Sequence, residues 1–190
     1  MMDNVAELIQ LPLDDEKVIH SEWQELLKQK VDFNWGYRNY QPISFFSDYF
    51  KNLIKNISVL VDLPYKNILI QVHDNQIHTE PMSPKETLTT VHKDIARLCC
   101  ITVPIFYSDL EPIYFYDDDA APKHRGQPPI KKPNQSYRYN KKYPSLVNVN
   151  NLHNVRVVKT DMPRILLQIS YDTNFQSIVG HKPHIWQVIE

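Results

Sequence analysis

VHKDIARLCCITVPIF, residues 91–106, joins a polar motif directly to a strongly apolar run, and this junction decides the fold. The apolar part predicts a buried strand over 96–106. The polar part, His92-Lys93-Asp94, is an H-x-D triplet. In an extended segment residues i and i+2 share a face, so we expect His92 and Asp94 on one side and Lys93 on the other. An imidazole and a carboxylate placed in this way can supply two of the three protein ligands of a 2-His-1-carboxylate iron site.

An H-x-D triplet alone is weak evidence, because a protein with 8 His and 22 acidic residues contains such triplets by chance. The alternative interpretation is a solvated pair at a surface turn. The iron-site hypothesis therefore requires a third ligand elsewhere in the sequence.

The composition is that of an ordinary globular protein. The chain has 190 residues, 42% hydrophobic and 23% charged, which is enough for a single domain spanning 1–190. A net charge of -1 gives no global attraction to nucleic acid or an anionic membrane. No apolar run approaches the roughly 18–20 residues of a membrane span, and the acidic N-terminus lacks a signal pattern, so we expect a cytoplasmic protein. With 3 Gly, a glycine-rich phosphate loop is not indicated.

Helical periodicity comes first along the sequence and strand periodicity follows. Asp14 or Asp15 can begin a helix that runs to about Lys30, with Val18 in its apolar stripe, and Ser44 or Ser47 can begin a second. Short strands are predicted at 67–73, 96–106, 113–116, 146–149, 154–158 and 164–171. This order predicts a mainly β protein, a sandwich or barrel, with N-terminal helical support over about 1–62 packed on one sheet.

The two cysteines, Cys99 and Cys100, lie next to each other in the apolar run. Neighbouring strand residues point to opposite faces, so this pair is a poor candidate for a structural disulfide. We expect two buried thiols in a reducing compartment, which also suits ferrous iron.

His153 and Arg164 are the candidates that complete the site. His153 lies 61 positions after His92 and follows an Asn-Asn turn. Arg164 opens the apolar strand RILLQISY, where an unpaired guanidinium is costly. Its planar fork suits a carboxylate, which can belong either to a protein side chain or to a ligand.

The motifs in this order resemble those of the iron(II)- and 2-oxoglutarate-dependent oxygenases. The resemblance is to the small double-stranded β-helix members of this family, which are jelly-roll or cupin-like barrels related in layout to aspartyl/asparaginyl hydroxylases. It lies in three stretches, in the order HKDIARLCCITVPI, YPSLVNVNNLHNVRVV and PRILLQISY. The resemblance covers about residues 65–172, the catalytic barrel. It implies that His92, Asp94 and His153 hold iron(II), and that Arg164 pairs with the far carboxylate of 2-oxoglutarate. It also implies that the enzyme hydroxylates an unactivated C–H bond of a small molecule or of a peptide side chain, with succinate and CO₂ as coproducts.

The sequence departs from this pattern at one position. Some members carry a serine two residues after the arginine, and Leu166 stands there in this protein. A second hydrogen bond to the cosubstrate must then come from elsewhere, with Gln71, Thr102, Tyr107 and Tyr116 as candidates.

Other residues compete for the same roles. His73 and His78 are rival ligands, and His181 and His184 lie in the tail. Arg97 can stabilise Asp94, bind substrate or form an ion pair at the strand end.

The long segment 117–144 alternates basic and aromatic residues. It is predicted to be irregular, either a lid over the site or a solvated loop, with nucleic-acid binding less favoured. Two further interpretations of the whole protein stay open at this point: a cupin-like metal protein that does not use 2-oxoglutarate, and a non-catalytic β-barrel binding module. The sequence leaves the substrate and the oligomeric state open.

Overall fold

The computed structural model describes residues 3–30, 38–73, 86–88, 91–107, 112–121, 129–158 and 164–189. Within these ranges the protein is mainly β, with eleven strands and three α-helices. The helices are α1 (Glu16–Gln29), α2 (Asp48–Val61) and α3 (Phe175–His181). The strands are β1 (Val5–Leu8), β2 (Arg38–Gln41), β3 (Asn67–His73), β4 (Glu86–Leu88), β5 (Cys99–Phe106), β6 (Ile113–Phe115), β7 (Gln135–Tyr137), β8 (Ser145–Val147), β9 (His153–Val158), β10 (Arg164–Tyr171) and β11 (Trp186–Ile189).

The strands form two antiparallel sheets. The larger has seven strands in the order β11-β1-β8-β5-β10-β3-β2, and the smaller has four in the order β4-β9-β6-β7. From β3 to β6 and again from β7 to β10, each successive strand lies in the other sheet. The connections in these two parts of the chain therefore lead from one sheet to the other.

The helices cover one face of the larger sheet. In α1 the Asp15 carboxylate accepts a hydrogen bond from the backbone N–H of Lys17, which caps the helix as its sequence predicts. Ile19, Trp23 and Leu26 are buried, whereas Val18, predicted in the apolar stripe, is 44% exposed and points away from the core. The core between helices and sheet contains side chains from both. They include Trp23, Leu26, Phe50, Ile54 and Ile57 from the helices and Ile101, Val103, Ile165, Leu167, Ile169 and Tyr171 from the sheet.

The opposite face of the larger sheet looks toward the smaller sheet. Here the apolar cluster contains Cys100, Tyr107, Ile113, Phe115, Tyr137, Tyr139, Val155 and Leu166, among others. Cys99 belongs to the helix-side core and Cys100 to this second cluster, and both thiols are free and buried, as predicted. The strand alternation expected for β5 is therefore present.

Several boundaries differ from the sequence prediction. The strands β3 and β10 match their predicted bounds, but the segment 117–144 is not wholly irregular, because it contains β7, which pairs with β6. The sheet also extends beyond the predicted barrel of 65–172: β1 and β2 come from the N-terminal part, and β11 from the tail pairs with β1. Each of these strands has four residues, too few to give a clear periodic signal in the sequence.

The two sheets do not close into a barrel within the described ranges. None of the helices in those ranges is long and apolar enough to cross a membrane. Organisation as one domain stays a prediction. His78, the loop around it, residues 31–37 and the turn at 160–163 lie outside the described residues, as does the side chain of His73.

Candidate metal centre

Three of the sequence-predicted residues converge on one point between the sheets. His92, Asp94 and His153 each offer one ligand atom, and these atoms lie within 4.8 Å of one another. Asp94 and His153 are buried, while His92 is partly exposed, with about a third of its side chain accessible. Two imidazoles and a carboxylate at this spacing form a group that can hold a metal ion.

The backbone brings the two histidines together. His92 and His153 lie opposite each other in an antiparallel bridge, in which each backbone N–H donates to the other's carbonyl at 2.9 Å. Their ring centroids are 4.6 Å apart. Because β9 belongs to the smaller sheet, His92 lies beside that sheet, and the segment that follows it leads to β5 in the larger one. The sequence prediction placed His92 at the mouth of the buried strand, whereas its actual neighbour is β9.

The orientation of His153 is fixed by a backbone contact. Its Nδ1 lies 2.8 Å from the carbonyl oxygen of Asn151, and a carbonyl can only accept, so Nδ1 has the proton. This tautomer leaves Nε2 with a free lone pair for a metal. Burial, together with the neighbouring His92, lowers the pKa of His153 to about 4. The ring is therefore neutral at neutral pH, the state in which imidazole binds metals.

Asp94 is held in its ionised state by its neighbours. Burial opposes ionisation, but the hydrogen bond from His92 and the charge and hydrogen bond of Arg97 outweigh it, and the pKa of Asp94 lies well below its ordinary range. Arg97 Nε donates to Asp94 Oδ2 at 2.7 Å, and His92 Nε2 lies 3.5 Å from Oδ1. Of the three roles predicted for Arg97, the structure shows the contact with Asp94.

Arg164 is almost completely buried. It is 2% exposed, and Nε and both terminal nitrogens have no hydrogen-bond partner among the described residues. The guanidinium carbon lies 5.8 Å from the ring centroid of Tyr107 and 5.5 Å from that of Tyr139. Two aromatic faces offset part of the cost of burying the charge but supply no hydrogen-bond acceptor. Five N–H groups that lack an acceptor in the described part of the protein favour an anionic ligand with carboxylate geometry.

Arg164 faces the same inter-sheet space as the three-residue cluster. Along β10, Ile165, Leu167 and Ile169 pack in the helix-side core, so the alternate residues Arg164, Leu166, Gln168 and Ser170 point to the other side. Gln168 Oε1 accepts a hydrogen bond from Arg97 Nη1 at 2.8 Å. Arg97 in turn holds Asp94, so the face that contains Arg164 also contains the supports of the cluster.

A row of polar contacts joins the two ends of this face. Gln168 Nε2 donates to Thr102 Oγ1 at 3.4 Å. The hydroxyl of Tyr139 is hydrogen-bonded to Thr102, and the ring of Tyr139 lies against Arg164. Buried polar groups connected in this way restrict one another's orientation.

The donor set fits a ferrous ion. Neutral imidazole nitrogens and one carboxylate oxygen are the ligands of non-heme iron(II) oxygenases, in which three protein ligands leave three positions open. Imidazole also suits zinc and other first-row metals, so the ligand types alone do not select one metal. Within the described part of the protein, no other group of three such side chains has metal-ligand spacing.

The rival histidines of the tail lie on the surface. His181 is 4.0 Å from Asp62, and His184 is also exposed. Neither belongs to the group of side chains with metal-ligand spacing.

The candidates for a second cosubstrate contact differ in their positions. Thr102 and Tyr107 lie on the inter-sheet face as expected, while Tyr116 donates to Asn154 beside a separate small cluster. Gln71 is buried on β3, directly opposite Leu166. Leu166 is itself buried in the inter-sheet cluster, and its side chain offers no hydrogen bond.

Sequence reasoning missed Gln168 and the orienting carbonyl of Asn151. The signal for Gln168 was present, because Gln168 and Ser170 are the polar residues in phase with Arg164 in an otherwise apolar strand. The Asn151 contact has no such signal, since a backbone carbonyl is the same in every residue.

Four of the basic and aromatic residues of 129–144 make contacts within the protein. Tyr137 and Tyr139 are buried, which makes both rings unavailable for stacking on bases. Lys131 pairs with Asp119, and Lys141 pairs with Glu16 at 3.0 Å. Two of the residues that suggested nucleic-acid contact therefore belong to the core.

No family model matches this sequence, and no curated protein sequence matches it. Among solved structures, the protein is similar to the non-heme alpha-ketoglutarate-dependent carbocyclase SnoK from nogalamycin biosynthesis. The match covers 99% of this chain and 92% of that chain, with 11% sequence identity and a TM-score of 0.49. A likeness at this level assigns neither fold nor activity to the protein.

Proposed function

We propose that this protein is an iron(II)- and 2-oxoglutarate-dependent dioxygenase. One observation carries the proposal: a buried guanidinium without a hydrogen-bond partner among the described residues faces the same space as a two-histidine, one-carboxylate cluster. A buried guanidinium with no acceptor among the described residues costs several kcal/mol by order of magnitude, and an anionic ligand removes that cost. A dicarboxylate that binds the metal at one end and Arg164 at the other accounts for both features.

The strand order supports a double-stranded β-helix for this part of the protein. The eight strands β3 to β10 pair as β3-β10-β5-β8 in one sheet and β4-β9-β6-β7 in the other. Jelly rolls distribute eight strands over two facing sheets in this manner. The additional strands β1, β2 and β11 extend only the larger sheet, on the two sides of the eight-strand unit.

In this proposal His92, Asp94 and His153 hold the iron. Asn151 presents the Nε2 of His153, and Arg97 keeps Asp94 ionised and in place. Arg164 binds the far carboxylate of 2-oxoglutarate through its planar fork, and the rings of Tyr107 and Tyr139 hold the guanidinium in position.

Iron with 2-oxoglutarate and O₂ supplies the oxidation of a substrate C–H to C–OH, with release of succinate and CO₂. The protein's part is to orient the two ligands and exclude water from the space between the sheets. The partly exposed His92 marks the side of the cluster that is open to solvent, where we place the entry of a small-molecule or peptide substrate.

The test is anaerobic addition of iron(II) and then 2-oxoglutarate to metal-free protein, followed by visible spectroscopy. Bidentate chelation of iron(II) by the 2-oxo acid gives a weak charge-transfer band, which we expect with wild type. The band should be absent in His153→Ala, which lacks a ligand, and should require far more 2-oxoglutarate in Arg164→Met, which retains the metal residues. Iron binding without any band in the wild type would contradict the proposal.

A cupin-like metal protein without 2-oxoglutarate is the second candidate. The observation that favours it is the packing of Arg164 between two tyrosine rings, which gives the charge some stabilisation without a ligand. Stoichiometric metal binding with no 2-oxoglutarate binding in calorimetry would identify this alternative.

A further inference from the structure

In the contact between Arg97 and Asp94, a cation lies beside the residue that is proposed to bind another cation. The side chains of both residues are buried, at 5% and 3% exposed respectively. Arg97 Nε donates to Asp94 Oδ2 at 2.7 Å, the length of a strong charge-assisted hydrogen bond. The contact therefore belongs to the interior of the site and is not a surface ion pair.

The two oxygens of Asp94 have different surroundings. Oδ2 faces the guanidinium of Arg97, while Oδ1 faces His92, whose Nε2 is 3.5 Å away. A metal ion that used both oxygens would have to approach the positive charge of Arg97 closely. Coulomb repulsion between these cations in a buried site disfavours that approach.

Arg97 is itself held in place by β10. Its Nη1 donates to Gln168 Oε1 at 2.8 Å and makes a longer contact of 3.4 Å with Ser170 Oγ. Gln168 is further tied to Thr102. The guanidinium thus has a defined position relative to the larger sheet. Its hydrogen bond to Asp94, which lies in the crossing between the sheets, fixes that carboxylate relative to the same sheet.

We infer that Arg97, anchored by Gln168, is a positioning residue that restricts Asp94 to one-oxygen metal binding through Oδ1. This inference rests on the proposed metal site and adds to it a residue that touches neither metal nor substrate. One-oxygen binding by Asp94 keeps a third coordination position open, which a chelating cosubstrate and O₂ together require.

The inference and a purely structural role for Arg97 predict opposite results. If Arg97 only balances the charge of Asp94, its removal leaves a more negative site that binds a divalent cation equally well or more tightly. If Arg97 positions Asp94, its removal weakens metal binding by about 10- to 100-fold, as is typical when a residue that orients a metal ligand is lost.

The experiment is calorimetric titration of the metal-free, full-length protein with Mn²⁺, together with the visible absorption spectrum of the Co²⁺ form. The variants are Arg97→Met, Gln168→Met and, as a matched control, Ser170→Ala, which loses only the long contact to the same guanidinium. We expect a loss of about 10- to 100-fold for Arg97→Met, a smaller loss for Gln168→Met and little change for Ser170→Ala. The Co²⁺ spectrum of Arg97→Met should change, because the freed carboxylate alters the coordination number.

Four outcomes overturn the inference. Equal or tighter Mn²⁺ binding by Arg97→Met, or an unchanged Co²⁺ spectrum, shows that Arg97 does not position Asp94, and leaves the proposed metal site intact. Absence of Mn²⁺ and Co²⁺ binding by the wild type overturns both the inference and the proposed function. If Arg97→Met does not fold, Gln168→Met decides, since it keeps the ion pair, and unchanged affinity in that variant rejects the inference.

Discussion

His92 and His153 exchange two backbone hydrogen bonds of 2.9 Å, although 61 positions of the sequence separate them. In an antiparallel pair, residues directly opposite each other have neighbouring side chains, so this bridge fixes the distance between the two rings. Asp94 follows two residues later, and its backbone N–H donates to the carbonyl of Val149 at 2.9 Å. The cluster is therefore positioned by main-chain pairing before any metal binds.

Loss of a ligand should remove metal binding without unfolding the protein. We expect His153→Ala and Asp94→Asn to lower Mn²⁺ affinity by at least about 100-fold, more than the loss of an orienting neighbour. Calorimetry measures the affinity, and circular dichroism checks the fold. His181→Ala is the matched control, because His181 lies on the surface in α3 and should leave the affinity unchanged. Metal binding that survives in both ligand variants would contradict the assignment.

Replacement of Arg164 should separate stability from ligand binding. Arg164→Met removes a buried charge that has no acceptor among the described residues, and it keeps a long apolar side chain. Such a change is often neutral or stabilising by about 1–4 kcal/mol. The lost contacts with Tyr107 and Tyr139 offset part of that gain. We expect an unchanged or higher free energy of unfolding in urea, together with loss of 2-oxoglutarate affinity in calorimetry. Destabilisation by more than about 2 kcal/mol would indicate that a protein group satisfies the guanidinium.

The Arg97–Asp94 pair should show strong coupling in the metal-free protein. Arg97→Met leaves a buried carboxylate without its counter-ion, which costs about 3–5 kcal/mol. Asp94→Asn removes the negative charge of the pair, so loss of Arg97 no longer leaves a buried carboxylate without its counter-ion. The double variant should therefore be destabilised by less than the sum of the two single variants. Urea unfolding of all four proteins gives the coupling free energy, which we expect near the upper part of the usual range of about 0.5–3 kcal/mol. Additive effects would show that the 2.7 Å contact contributes no specific energy.

The cysteines should be unreactive in the folded protein. Burial raises the pKa of the Cys99 thiol, so the reactive thiolate is scarce at neutral pH. Cys100 lies on the opposite side of the same strand and is also buried. We expect no labelling by a thiol reagent in the native state and two equivalents after denaturation in urea. Rapid native labelling of either thiol would show that the larger sheet opens.

The sequence by itself determined the features that depend on local pattern. The apolar runs and their boundaries predicted β3 and β10 at their observed limits. The sequence offered Asp14 or Asp15 as the start of α1, and the structure has Asp15 as the cap. The adjacency of Cys99 and Cys100 in a strand placed the two thiols on opposite faces. The i, i+2 spacing put His92 and Asp94 on one side of the backbone, because period two is a property of any extended segment.

The tertiary structure decided everything that depends on which strand pairs with which. Only the pairing of the segment after β4 with β9 brings His153 to His92, and only the packing of the two sheets leaves Arg164 buried without an acceptor among the described residues. The short strands β1, β7 and β11 form because neighbouring strands offer hydrogen-bond partners, and their own residues have too little periodic signal to predict them. Sheet pairing joins residues that are far apart in the sequence, so local patterns predict the strands and the folded structure assembles the site.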